Sequence, residues 1–215
     1  MKNAFRYRRI VLLILCAVAL AGCQKPQQGP TPLPEYTIGV AEFTQPAHKW
    51  DLLAGYIPEN QPKLDETVLR DLDASFQTLL QQETTREYTS YGASARCLEL
   101  DMHSSTSSTT ALEKWINVGL CMQVDLLLVP QILSWKERDG GEMGAFHPAS
   151  VAMDIFVIDV RNERALSRFH FEETQESLTN NLMNISKFVE RKGKWITPLQ
   201  LAEEGMRKGI KELGL

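Results

Sequence analysis

The chain has 215 residues, with 23 Lys and Arg against 27 Asp and Glu, and a formal net charge of −4. Four positive residues and no acidic ones precede position 23, so the portion from there onward carries −8. An acidic surface excludes a nucleic-acid binder, which needs basic groups facing phosphate, and also an electrostatic hold on anionic lipid. The remaining length suits one domain with a substantial core.

Lys2, Arg6, Arg8 and Arg9 form a positive start, and Ile10 to Ala21 is an almost unbroken apolar stretch. It is short for a membrane span and has the layout of a secretory signal. The stretch closes on Leu20-Ala21-Gly22-Cys23, which resembles the lipobox of bacterial lipoproteins. The resemblance implies that the Cys23 sulfur receives a diacylglyceryl group, that the bond before it is cut, and that the new amino terminus is acylated. One acyl chain binds membranes marginally, whereas two or three on one cysteine hold a soluble domain firmly. Gln24 rather than Asp follows the cysteine, which in a diderm host implies the outer membrane. Residues 24–34 read QKPQQGPTPLP, with proline at 26, 30, 32 and 34. Such a run favours extended polyproline II and would hold a domain roughly 30 Å from the bilayer. The expected organisation is a signal peptide over 1–22, the lipidated cysteine and tether over 23–35, and a periplasmic α/β domain over 36–215.

Tyr36 to Phe43 is a short β-rich run, followed by a loop containing Pro46, Pro58 and Pro62. Within that loop Trp50, Leu52, Leu53, Tyr56 and Ile57 are apolar, so it packs on this domain or on a partner. Leu64, Val68, Leu69, Leu72, Phe76, Leu79 and Leu80 repeat with helical period, with Asp65, Glu66, Arg70, Asp71 and Asp73 on the opposite face. A helix is predicted over 64–82. Arg86 to Tyr91 reads as a strand, and 92–108 matches neither period. Thr110 and Glu113 have capping-box spacing before Leu112, Ile116 and Leu120, which predicts a helix over 111–121.

Val124 to Val129 is apolar except for Asp125 and reads as a strand buried on both faces. Pro130 marks a bulge or the point where that strand leaves the sheet. Ser150 to Val160 and Ala165 to Phe171 are two further strands, joined by the turn 161–164. In the second, Ala165, Ser167, Phe169 and Phe171 share one face and Arg168, His170 and Glu172 the other. Thr197-Pro198 opens a last helix carrying Leu199, Ala202, Met206, Ile210 and Leu213.

This order, with Ile38 to Phe43 as first strand, the helix from Leu64, Val124 to Val129 after a helix, Ile155 to Val160 with its turn, and the helix from Pro198, resembles the amino-terminal domain of TolB. That group includes the curli-export lipoprotein and lipoprotein activators of penicillin-binding proteins. The resemblance covers most of 36–213 and implies one α/β domain, a mixed sheet of about five strands flanked by about three helices. The long loop at 44–63 and Asn162 in place of a turn glycine depart from the pattern.

Cys97 and Cys121 would face an oxidising compartment, where a disulfide and a pair of buried thiols are both open outcomes. The sequence contains no phosphate loop, HExxH or GxSxG. His48, His103, His147 and His170 are scattered, so neither metal nor cofactor is expected, and His170 reads as a surface residue. The acidic pairs Asp71/Asp73, Glu172/Glu173 and Glu203/Glu204 read as solvated faces. Asn184-Ile185-Ser186 matches a glycosylation acceptor by chance.

Two surfaces suit docking. One is the loop 45–62 with Trp50 and Tyr56, the other the glycine-containing loop 137–148 with Met143 and Phe146. The expected function is a lipid-anchored, non-enzymatic envelope protein that binds another envelope protein in assembly, secretion or cell-wall synthesis, with homo-oligomers open. An export-pore subunit would need paired, lipid-facing strands of about ten residues each. A periplasmic hydrolase would need a site that no motif marks.

Overall fold

The computed structural model describes residues 36–59, 61–104, 110–142, 144–175, 189 and 191–215. The expected signal segment, Cys23 and the tether lie outside these residues, as do Met143, most of the Ser/Thr run at 104–110, and Asn184 to Ser186. A mixed sheet of five strands has the order β2–β1–β3–β6–β7. β1 (Ile38–Val40), β2 (Tyr88–Thr89) and β3 (Leu126–Lys136) are parallel. β6 (Ser150–Asp159) and β7 (Arg164–Thr174) continue it antiparallel. β4 (Asp139–Gly141) and β5 (Gly144–His147) form a separate two-stranded hairpin between β3 and β6. The α/β class with a five-stranded mixed sheet is therefore as expected. The described residues hold four α-helices rather than three: α1 (Glu66–Glu83), α2 (Tyr91–Ser104), α3 (Ala111–Cys121) and α4 (Pro198–Leu213).

Helices cover both faces of the sheet, which is why β3 and β6 read as continuous apolar runs. Leu72, Phe76, Leu79 and Leu80 of α1 and Leu201, Ala202, Met206 and Ile210 of α4 share one core with Leu126, Leu128, Met153, Ile155, Val157, Phe169 and Phe171. Cys97 and Leu98 of α2 and Trp115, Ile116 and Val118 of α3 share the other with Leu127, Val129, Phe156 and Ile158. Each such aliphatic or aromatic side chain contributes on the order of 1.5–3 kcal/mol.

Local chemistry sets the element ends. Asp65 caps α1 by accepting the Thr67 N–H at 2.8 Å. In α3, Glu113 accepts the Thr110 N–H at 2.8 Å while its own N–H donates to Thr110 Oγ1 at 3.3 Å. Thr197 and Gln200 repeat that reciprocal cap at the start of α4, with Pro198 at its first position. Asp125, the polar member of the β3 approach, accepts the Thr37 N–H at 3.0 Å, and Thr37 Oγ1 accepts the Asp125 N–H at 3.0 Å. In the β6–β7 turn Glu163 takes the left-handed conformation (φ 53°), while the Asn162 side chain donates to Asp159 at 2.8 Å.

Three expectations are corrected. The strand expected at 86–91 shrinks to Tyr88–Thr89, because the Ser90 carbonyl already accepts the Ala93 N–H at 3.0 Å and opens α2. Pro130 neither bulges nor ends its strand: it pairs with Ile155 inside β3, and the irregularity falls between Ile132 and Ser134. Opposite it only Glu42 and Phe43 leave the ladder, donating their N–H groups to Ser94 Oγ and Asp73 Oδ1 at 2.9 and 2.7 Å, before Thr44 returns to donate to the Pro130 carbonyl at 3.3 Å. A missing donor costs least where the two residues facing it are already bonded elsewhere. Finally, Asp73 is not on a solvated face but buried in the core.

Candidate functional site

The loop after β1 crosses the sheet and is tied down by side chains of known register. Gln45 clasps its ends, donating to the Pro62 carbonyl at 2.9 Å and accepting the Leu64 N–H at 2.8 Å. Mid-loop, Gln131 on β3 donates Nε2 to the Asp51 carbonyl at 2.9 Å, and its Oε1 accepts the Leu53 N–H at 3.4 Å. Leu53 and Ala54 then pack against the second core. With its base held, the loop turns two aromatics outward: Trp50 is 66% exposed and Tyr56 70% exposed. Trp50 sits in a single 3-10 turn (Lys49–Asp51), its ring stacked on His48 with centroids 4.4 Å apart.

Beneath this loop a polar row crosses the face: Gln131 stands opposite Asp154, and Asp154 opposite His170. Asp154 is fully buried, accepting from Arg168 Nη2 at 2.9 Å and meeting His170 Nδ1 at 2.7 Å. Arg168 supplies the counter-charge that a buried carboxylate requires and lies over the Phe156 ring. Gly55 (φ +90°) brings the loop backbone over this pair, where a Cβ would stand 3.0 Å from Arg168 Nη2. His170 is thus oriented by Asp154, and its Nε2 lies 3.6 Å from Glu172. The row offers an oriented imidazole; among the described residues no hydroxyl or thiol bonds to it. Sequence reasoning passed over this cluster. Its signal was a lone carboxylate amid the apolar β6, facing Arg168 and His170 two apart on the next strand.

The second surface projects from the far end of β3 and β6. Phe146 on β5 is 86% exposed. Its hairpin is braced from behind: Trp195 N–H donates to the Glu142 carbonyl at 2.8 Å, Lys194 pairs with Glu142 at 2.8 Å, and Arg138 donates to the Trp195 carbonyl. Met143 lies outside the described residues. The two loops stand on different parts of the scaffold, one over the sheet face and one beyond its end.

The remaining candidates divide. Cys97 of α2 and Cys121 of α3 are joined as a disulfide, with Cα atoms 5.9 Å apart. The expected solvated pairs are partly drawn inward, since Arg191 binds Glu173 and Glu204, each at 2.6 Å. Burial pushes the Asp73 carboxyl up to about 7, against the Phe43 hydrogen bond that lowers it. Burial likewise raises Glu42, helped by Glu99. A cleft of about 340 Å³ opens at the β2 edge, lined by Val40, Leu80, Arg86, Tyr88, Ser90 and Tyr91. Among the described residues no helix is long and apolar enough to cross a membrane.

No family model and no curated protein matches the chain. Among solved structures it is similar to a PelC dodecamer from Paraburkholderia phytofirmans, at 12% identity over 86% of this chain and 92% of that one, with a TM-score of 0.42. It is also similar to the hypothetical protein CT253 from Chlamydia trachomatis, at 13% identity over 81% and 92% of the two chains, with a TM-score of 0.39. Lipoprotein GNA1162 from Neisseria meningitidis is similar at 13% identity over 73% and 96%, with a TM-score of 0.38.

Proposed function

We propose that this chain is a lipid-anchored, non-enzymatic envelope protein that displays its α/β domain in the periplasm and docks another envelope protein through the loop carrying Trp50 and Tyr56. The observation that carries the reading is the contrast within that loop. Its backbone is fastened to Gln131, yet its two large aromatics face solvent. Aromatics on a pre-ordered base bind with little further loss of conformational freedom. The anchor rests on Leu20-Ala21-Gly22-Cys23 and the proline-containing segment after it.

Two experiments test it. Cells fed labelled palmitate are expected to label the chain, and Cys23→Ala to abolish the label and release the protein from outer membranes. Crosslinking in native membranes is expected to capture one dominant envelope protein, lost in the Trp50→Ala/Tyr56→Ala double variant and kept in Phe146→Ala. Capture that survives the double variant would sink the assignment to this loop, and an unlabelled chain would sink the anchor.

A further inference from the structure

The sheet has two edges, and they differ. β2 is two residues long. β7 runs for eleven residues without proline or glycine and pairs with β6 along one side. Among the described residues no strand pairs with its other side. The register irregularity of β7 falls at Leu166, and from Ser167 to Thr174 it pairs one-to-one with Val157 to Ser150. Among the described residues, then, this is a regular row of backbone donors and acceptors that no strand pairs with. Proteins normally blunt such an edge with proline, bulges, charges or short length; β7 has a bulge at Leu166 alone, and its charges change sign along the strand.

The charges along this edge are ordered by position. Arg164 and Arg168 come first, Glu172 and Glu173 last. A second copy approaching antiparallel reverses that order, so the strand is complementary to itself. Placing a two-fold axis through His170 sets Arg168 opposite Glu172 of the second copy, twice over, with Phe169 opposite Phe171. An axis through Arg168 or Glu172 would instead set a charge against its own kind, which is destabilising. An axis through Phe169 or Phe171 would not set Arg168 opposite Glu172 at all. Because the axis passes through a residue, the ladder closes whichever alternate set of N–H groups points outward. Arg168 and His170 are already held by Asp154, so little side-chain freedom remains to be lost.

We propose that β7 pairs with β7 of a second copy about a two-fold axis at His170, joining the two sheets into one. The pairing does not depend on the lipid anchor or on the Trp50 loop, and either reading can fail without the other.

The test uses the full chain in detergent. In His170→Cys the two thiols would meet on the axis, whereas in Glu172→Cys they would stand roughly 13 Å apart, four residues at about 3.3 Å each. Mild oxidation is expected to link His170→Cys to itself, and Glu172→Cys no more than the unaltered chain with its own cysteines. Sedimentation equilibrium is expected to show a dimer whose dissociation constant rises about tenfold or more in Glu172→Arg, where Arg faces Arg168. Should His170→Cys fail to fold, sedimentation decides alone, since Glu172 is exposed. A monomer at every concentration, an unchanged dimer in Glu172→Arg, equal linking by the two cysteine variants, or linkage of His170→Cys to a different protein without self-linkage would each overturn the proposal.

Discussion

The Asp73 carboxylate accepts the backbone N–H of Phe43 at 2.7 Å, tying the middle of α1 to the chain just beyond β1. Phe43 and Phe76 then meet edge to face, with ring centroids 5.8 Å apart. A hydrogen bond and an aromatic pair thus fasten the same corner, and the first depends on a carboxyl that burial makes reluctant to ionise.

That reluctance has a direction in pH. The folded pKa of Asp73, about 7, lies above the ordinary 3.8. Its contribution is therefore fully present below the ordinary value and is lost as pH rises through about 7. Between pH 6 and pH 8 the loss is about 1 kcal/mol. Asp73→Asn keeps an acceptor without the charge, so its thermal midpoint relative to the unaltered chain is expected to rise from pH 6 to pH 8. A difference constant across that window would refute the assignment.

α4 lies close against the sheet because Gly205 and Gly209 carry no side chain. A Cβ at Gly205 would stand 2.6 Å from Phe171 Cδ1, and one at Gly209 would stand 2.8 Å from Phe169 Cδ1. Gly205→Ala is expected to lose about 1–2 kcal/mol in urea unfolding, overpacking outweighing the gain in helix propensity. Gly92→Ala, where a Cβ meets Ser90 Oγ at 3.9 Å, is the contrast and is expected to cost nothing.

Gln131→Leu removes both hydrogen bonds that hold the aromatic loop while nearly conserving volume. The expected loss is about 1–3 kcal/mol, since the Asp51 carbonyl and Leu53 N–H lose their partner. Limited proteolysis is expected to find new cuts between Lys49 and Ile57. An unchanged digestion pattern would mean that Leu53 packing alone holds the loop.

The bridge between Cys97 and Cys121 closes a loop with a sequence separation of 24. Loops of that length contribute about 3 kcal/mol. Dithiothreitol is expected to lower the melting temperature of the unaltered chain and to leave the Cys97→Ser/Cys121→Ser variant where it starts.

Periodicity and caps made much of this fold legible. The α1 stripe, the Thr110/Glu113 and Thr197-Pro198 starts, and the apolar β3 and β6 all carry local signals that the structure satisfies. α2 carried none: its sequence is weakly amphipathic, and distant partners fix it, through Ser94 to Glu42 and through Cys97 to α3. Asp73 misled because its charge outweighed its position: three residues before Phe76 and four after Leu69, it lies on the apolar stripe, and the Phe43 N–H supplies the partner that lets it be buried there. The Asp154 row needed the β6–β7 register, which sets Asp154 opposite His170; β6 alone shows a lone carboxylate in an apolar run and does not name its partners.

The aromatic loop is fastened at its middle by a primary amide. An amide neither titrates nor gathers counter-ions, and Gln131 offers a donor and an acceptor at once. A carboxylate or an ammonium there would loosen its hold in acid, alkali or brine. The hold that Gln131 keeps on the loop presenting Trp50 and Tyr56 is therefore indifferent to acidity and salt, whereas the Asp73 contribution is lost as pH rises through about 7.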